Sequence, residues 1–91
     1  MTDKIFVYGF AADHRVVSYR FIAREYFCIR ELYYAADVVA DHPEVVRVYA
    51  LDNFPELFYE YRKAIKSPVD FAEHLAFESM VKDRGILVKE R

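Results

Sequence analysis

Cysteine occurs once, as Cys28, so the chain holds no internal disulfide and no thiolate zinc site, which fits a reducing compartment. The two glycines exclude a glycine-rich phosphate loop. No apolar run approaches the roughly 18 residues of a membrane span, and the opening MTDKIFVYGF has neither a basic n-region nor a cleavage pattern. A cytoplasmic protein without a membrane partner is therefore expected. Charge of one sign is scarce as well: a net −2 is too balanced for a binder that works by neutralising many phosphates. Repeats, low-complexity tracts and linkers are absent from the sequence.

Apolar surface is what the chain has in excess. Hydrophobic residues make up 55% of the 91, with eight Phe and eight Tyr, against roughly 45–50% apolar in ordinary globular domains. A chain of this length forms one domain with one core, so some of these rings are expected outside it.

The longest helical periodicity without Gly or Pro runs from Arg24 to Asp41. A helix there places Ile29, Leu32, Tyr33, Ala36, Val39 and Ala40 on an inner face. Phe27, Tyr34 and Val38 fall on the opposite side, among Arg30, Glu31, Asp37 and Asp41, so this helix has two surfaces to cover. Lys4 to Phe10 reads as a central strand, with Ile5, Val7 and Gly9 alternating against Phe6, Tyr8 and Phe10. Arg15 to Ile22 reads as an edge strand paired to it in a hairpin, the competing reading being a helix from Asp13 straight into the central one. His42-Pro43 ends the helix, and Glu44 to Leu51 is a third strand. The simplest crossover puts strand one between strands two and three, antiparallel to both.

Asn53, Pro55 and Glu56 open a helix to about Lys66. Ser67-Pro68-Val69-Asp70 opens another, with Val69, Ala72, Leu75, Ala76 and Ser79 inward, ended by Gly85 after Lys82 and Arg84. Ile86 to Val88 can add a short final strand, and Lys89-Glu90-Arg91 is expected to fray. The expected fold is α+β: a small antiparallel sheet of three strands, or four with a short C-terminal one, against three helices in the order β-β-α-β-α-α.

Chemistry-bearing patterns are weak. Histidine follows an acid in Asp13-His14, Asp41-His42 and Glu73-His74, but neighbours in sequence diverge on a helix or strand, and no HxH or HxxxH ligand spacing occurs. An enzyme would need a composite His and acid site assembled across the fold. Ser18, Ser67 and Ser79 lack nucleophile context, and no cofactor or metal is expected. Between Asp37 and Glu60 six acids (Asp37, Asp41, Glu44, Asp52, Glu56, Glu60) face one base, Arg47, an acidic lobe suited to a protein partner with a basic surface. Arg15, Arg20, Arg24 and Arg30, with Tyr19 and Tyr26 among them, form the nucleic-acid alternative.

Surplus rings carry more of the argument. On the last helix Phe77 and Val81 lie opposite the small-residue stripe, as Phe27, Tyr34 and Val38 do on the central one, and rings of this kind populate interface cores. The expectation is a non-enzymatic interaction protein, self-associating as a homodimer and docking on a basic, nucleic-acid-processing protein. Small inhibitors of phages and mobile elements, anti-CRISPR proteins among them, share this size and this lack of chemistry, although no residue pattern ties the chain to them.

Overall fold

The computed structural model describes residues 4–52, 61 and 70–91. In chain order it has β1 (Lys4–Phe10), β2 (Val16–Ala23), a 3-10 turn (Arg24–Tyr26), α1 (Ile29–Ala40), β3 (Arg47–Asp52), α2 (Phe71–Arg84) and β4 (Ile86–Glu90). The four strands form one antiparallel sheet in the order β2-β1-β3-β4. Strand one thus lies between strands two and three, as its two apolar faces demand. The hairpin strand holds, and the competing helix from Asp13 does not form.

Each face of β1 feeds a different core. Ile5 and Val7 join Ile22, Val45, Val48 and Ala50 beneath the Leu32, Ala35, Ala36, Val39 and Ala40 stripe of α1. Phe6, Tyr8 and Phe10 join Tyr49 and Leu51 beneath Phe77 and Val81 of α2. The sheet is therefore a filling between two helices, aliphatic on one side and aromatic on the other. Gly9 sets how closely α1 can approach: a Cβ there would lie 2.6 Å from Val39 Cγ1 and 2.8 Å from Val45 Cγ2. Gly85 does the same where α2 turns into β4, since a Cβ would collide with the Ala50 carbonyl oxygen and come within 2.9 Å of Leu51 Cβ.

Four expectations need correction. Among the described residues there are two α-helices rather than three; of the helix expected over 53–66 only Tyr61 is described, in helical conformation, and the Ser67 to Val69 start of the last one lies outside the described residues. The central helix begins at Ile29, after Phe27 and Cys28 in extended conformation, because the chain must turn from the sheet edge before it can lie across the sheet face. Its inner stripe is also rotated: Ala35 faces inward, while Ile29 and Tyr33 are exposed, since alanine at three of the five buried positions lets the helix lie closer to the sheet than a tyrosine on that face would permit. The third correction concerns α2, whose hydrophobicity is spread almost evenly around its axis. Phe77 and Val81, expected on the surface, are 4% and 0% exposed, while Leu75 is exposed at 42%. Burying a Phe or Val contributes roughly 1.5–3 kcal/mol, more than the Ala72, Ala76 and Ser79 stripe can supply. Finally, the last residues are tied down. Lys89 and Glu90 pair with β3, and Arg91 donates from its backbone to Val46 O at 2.8 Å and from Nη2 to Ala40 O at 2.5 Å. No described helix is long and apolar enough to cross a membrane.

Candidate functional site

Two regions stand out, at different parts of the fold. The first is the outer surface of α1, its lead-in and the β2 edge. Tyr26, Ile29, Tyr33 and Tyr34 are 72%, 62%, 57% and 56% exposed, with Phe27 and Val38 exposed beside them. Of the sequence-derived interface residues, Phe27, Tyr34 and Val38 are thus on the surface, whereas Phe77 and Val81 belong to the core. A helical wheel puts Ile29 and Tyr33 beside Leu32 and Ala36, but the buried face is centred on Leu32, Ala35, Ala36, Val39 and Ala40 and leaves both outside. On β2, Tyr19 and Phe21 are half-exposed. Arg20, one position between them and so on the other face of the sheet, holds its guanidinium 5.4 Å from the Tyr34 ring centre. Exposed rings therefore lie on both faces at the β2 edge, with Arg20 bridging to Tyr34 on the α1 side. Phe27 lines an open cleft of about 280 Å³ together with Leu32, Ile86 and Arg24.

Charges around this surface are largely paired. Asp37 accepts from Lys89 Nζ at 3.0 Å, Glu44 from Arg15 Nη2 at 2.9 Å, and Asp52 pairs with Arg24 at 3.0 Å. Asp41 is exposed, and Glu56 and Glu60 lie outside the described residues. The acidic lobe counted along the chain is thus partly neutralised by bases that arrive from the turns flanking β2 and from β4. The same pairs disperse the arginine cluster. Arg15 is held by Asp13 at 2.7 Å as well as by Glu44, and Arg24 lies at the other end of an eight-residue strand, roughly 25–30 Å away at 3.3 Å per residue. Arg20 stacks on Tyr34, and Arg30 is exposed on α1.

The second region is a polar network at the hairpin end of the sheet. Glu78, on the inner face of α2, is 5% exposed. Its Oε1 accepts from His14 Nδ1 at 2.7 Å and Arg47 Nη2 at 2.9 Å, and its Oε2 from Arg47 Nε at 2.5 Å and the Tyr49 hydroxyl at 3.0 Å. Arg47 Nη2 also donates to Ala11 O at 3.0 Å. A carboxylate has no proton to give, so His14 carries its proton on Nδ1. His14 stands at φ 72, in the left-handed region, with its ring edge-on to Phe71. Burial alone would raise the Glu78 carboxyl, but the hydrogen bonds from Arg47, His14 and Tyr49 more than offset it and hold it below the ordinary value. Burial, and then the Glu78 charge, push the Tyr49 phenol up to about 12.

This arrangement decides what Glu78 can do. A carboxylate offers about four acceptor positions, and four donors fill them. No lone pair remains to take a proton from a substrate or to bind a metal, so the network is a clasp joining the hairpin loop, β3 and α2. The histidines are not brought together: His42 Nδ1 accepts from the Glu44 backbone at 3.1 Å in the turn after α1, and His74 Nδ1 bonds the Tyr61 hydroxyl at 2.7 Å. Among the described residues no three His, Cys, Asp or Glu side chains are grouped to hold a metal ion. Sequence reading missed Glu78 and Tyr49; the visible signal was Arg47, a cation in an otherwise apolar strand that requires a buried anion opposite. Comparison with known proteins assigns no family: no family model, curated protein or solved structure matches the chain.

Proposed function

We propose that the chain is a non-enzymatic protein-protein interaction module that binds through the outer surface of α1, its lead-in and β2. The observation that carries this reading is the number of exposed apolar side chains on α1 and its lead-in, from Tyr26 and Phe27 to Tyr34 and Val38, with Tyr19 and Phe21 exposed on neighbouring β2. Phe and Tyr side chains bury roughly 150–250 Å² each. Six largely exposed rings therefore offer about 600 Å² in all, at the upper end of the roughly 300–600 Å² of the largest apolar patch on a typical monomer, a size often functional, and approaching the roughly 800 Å² per partner of a standard interface. The saturated Glu78 removes the best acid-base candidate for catalysis. Pairing of Asp37, Glu44 and Asp52 makes apolar contact, rather than attraction to a basic groove, the main source of affinity. Inhibition of a basic, nucleic-acid-processing protein would then draw on the rings first, with Asp41 at their rim.

The test is binding that depends on these rings. Tyr34→Glu and Phe27→Glu should leave the circular dichroism spectrum unchanged and abolish whatever association the unmodified chain makes, with itself in light scattering at about 100 µM or with a partner by affinity capture. A chain that is monomeric, captures nothing and responds to neither substitution would overturn the reading.

A further inference from the structure

We infer that the occupant of this surface is a second copy of the chain, joined edge to edge through β2 into a continuous eight-stranded sheet; this rests on the interaction reading above. An edge strand presents unpaired backbone N–H and C=O groups, and proteins ordinarily guard it with lysine, proline, bulges or brevity. The two edges of this sheet differ in that respect. The β4 edge is five residues long, carries Lys89 and Glu90, and is broken by a register irregularity opposite Val48 and Tyr49. The β2 edge is eight residues long, has no proline or lysine, and is exposed at its middle through Tyr19, Arg20 and Phe21. Its irregularity sits at the hairpin end, where Gly9 pairs with Ser18 and Phe10 with Val16, leaving Val17 as the extra residue. From Ser18 to Ala23 the ladder with β1 is regular, and among the described residues no strand pairs with its outer side.

Self-pairing is further restricted by side chains. Antiparallel partners share a face, so a twofold axis normal to the sheet passes through one residue that pairs with its own copy. An axis at Arg20 would set two guanidinium groups opposite each other, and one at Tyr19 would pair Phe21 with the bulged Val17. An axis at Phe21 stays inside the regular run: Phe21 meets Phe21, Arg20 meets Ile22 and Tyr19 meets Ala23, an aromatic pair with no like charges directly opposed among β2 side chains, each ring carrying Lys4 Nζ 4.2 Å from its centre. The same operation brings the two α1 outer faces toward each other, because α1 reaches over β2 as far as the Arg20 and Tyr34 contact. Backbone pairing and the apolar surface are then covered in one step.

The experiment combines sedimentation equilibrium with amide hydrogen exchange on the intact chain over a concentration series. A dimer is expected, with exchange in 18–23 slowing as concentration rises while exchange in 86–90 does not. Phe21→Lys, which sets two lysines across the axis at a half-exposed position, should raise the dissociation constant about 100-fold with an unchanged circular dichroism spectrum. The exchange measurement needs no substitution, so the inference is decided even where that variant fails to fold. A dimer whose 18–23 amides are insensitive to concentration, but which Tyr34→Glu dissociates, would sink β2 pairing and leave the interaction reading standing. A monomer throughout would also sink it, and the interaction reading would then stand or fall on ring-dependent binding of a different protein.

Discussion

Replacing Glu78 by leucine should be the most damaging single change at the clasp. The substitution leaves the Arg47 guanidinium, the His14 imidazole and the Tyr49 hydroxyl without the acceptor they share. Removing one member of a fully buried ion pair costs about 3–5 kcal/mol. The Arg47 and His14 side chains keep 22% and 23% exposure, so water recovers part of the loss and about 3 kcal/mol is expected. At about 4–8 °C per kcal/mol for a domain of this size, the melting temperature should fall by roughly 15 °C. Urea unfolding followed by circular dichroism gives the number. The double variant Glu78→Leu with Arg47→Met tests the cause: removing the orphaned charge as well should recover part of the loss, whereas a double variant as unstable as the sum of the singles refutes the ion-pair account. The pH dependence has a fixed sign. Because the folded Glu78 carboxyl is held below its ordinary value, its contribution is present at neutral pH and is lost as pH falls through the carboxylate range, near 4, to the lowered folded value. The stability gap between the unmodified chain and Glu78→Leu should accordingly narrow in acid; a gap unchanged into strong acid would refute it.

Two further predictions concern packing and surface charge. Gly9→Ala should cost about 1–3 kcal/mol by pushing against Val39 and Val45, and Gly85→Ala should cost more, because its Cβ meets the Ala50 carbonyl, which has no rotamer to yield; thermal melts of both variants check the order. Asp37→Asn should change stability by less than about 1 kcal/mol, since its bridge to Lys89 is exposed on both sides, and a larger loss in urea unfolding would mean that the pair anchors β4.

Strand order was legible because the alternation of Lys4 to Phe10 is apolar on both faces, and a strand of that kind has one place in a small sheet. The helix from Ile29 was legible in extent at its C-terminal end, where Pro43 forbids continuation, but not at its start. No residue type marks the break at Phe27 and Cys28, which is imposed by the path from sheet edge to sheet face. The inner face of α2 was misread for a related reason. His74 and Glu78 count as polar in any periodicity, yet both are buried once Tyr61 and the Arg47, His14 and Tyr49 group supply their hydrogen bonds. Those partners lie between 13 and 64 residues away in sequence, beyond the reach of any local pattern. Charge counting failed likewise, because Arg15, Arg24 and Lys89 reach Glu44, Asp52 and Asp37 only through the sheet.

The division of the interior into an aliphatic half and an aromatic half makes the two halves separately visible to spectroscopy. With no tryptophan in the chain, near-ultraviolet dichroism reports on immobilised tyrosine and phenylalanine, and among the described residues the buried rings, Phe6, Tyr8, Phe10, Tyr49 and Phe77, pack together between α2 and the sheet. Methyl resonances of Val7, Leu32, Val39, Val45 and Val48 report on the layer beneath α1. Because β1 and β3 belong to both, loss of either layer exposes the back of the other. Coincidence of the two signals along an unfolding curve therefore measures how strongly the two shared strands couple one half of the molecule to the other.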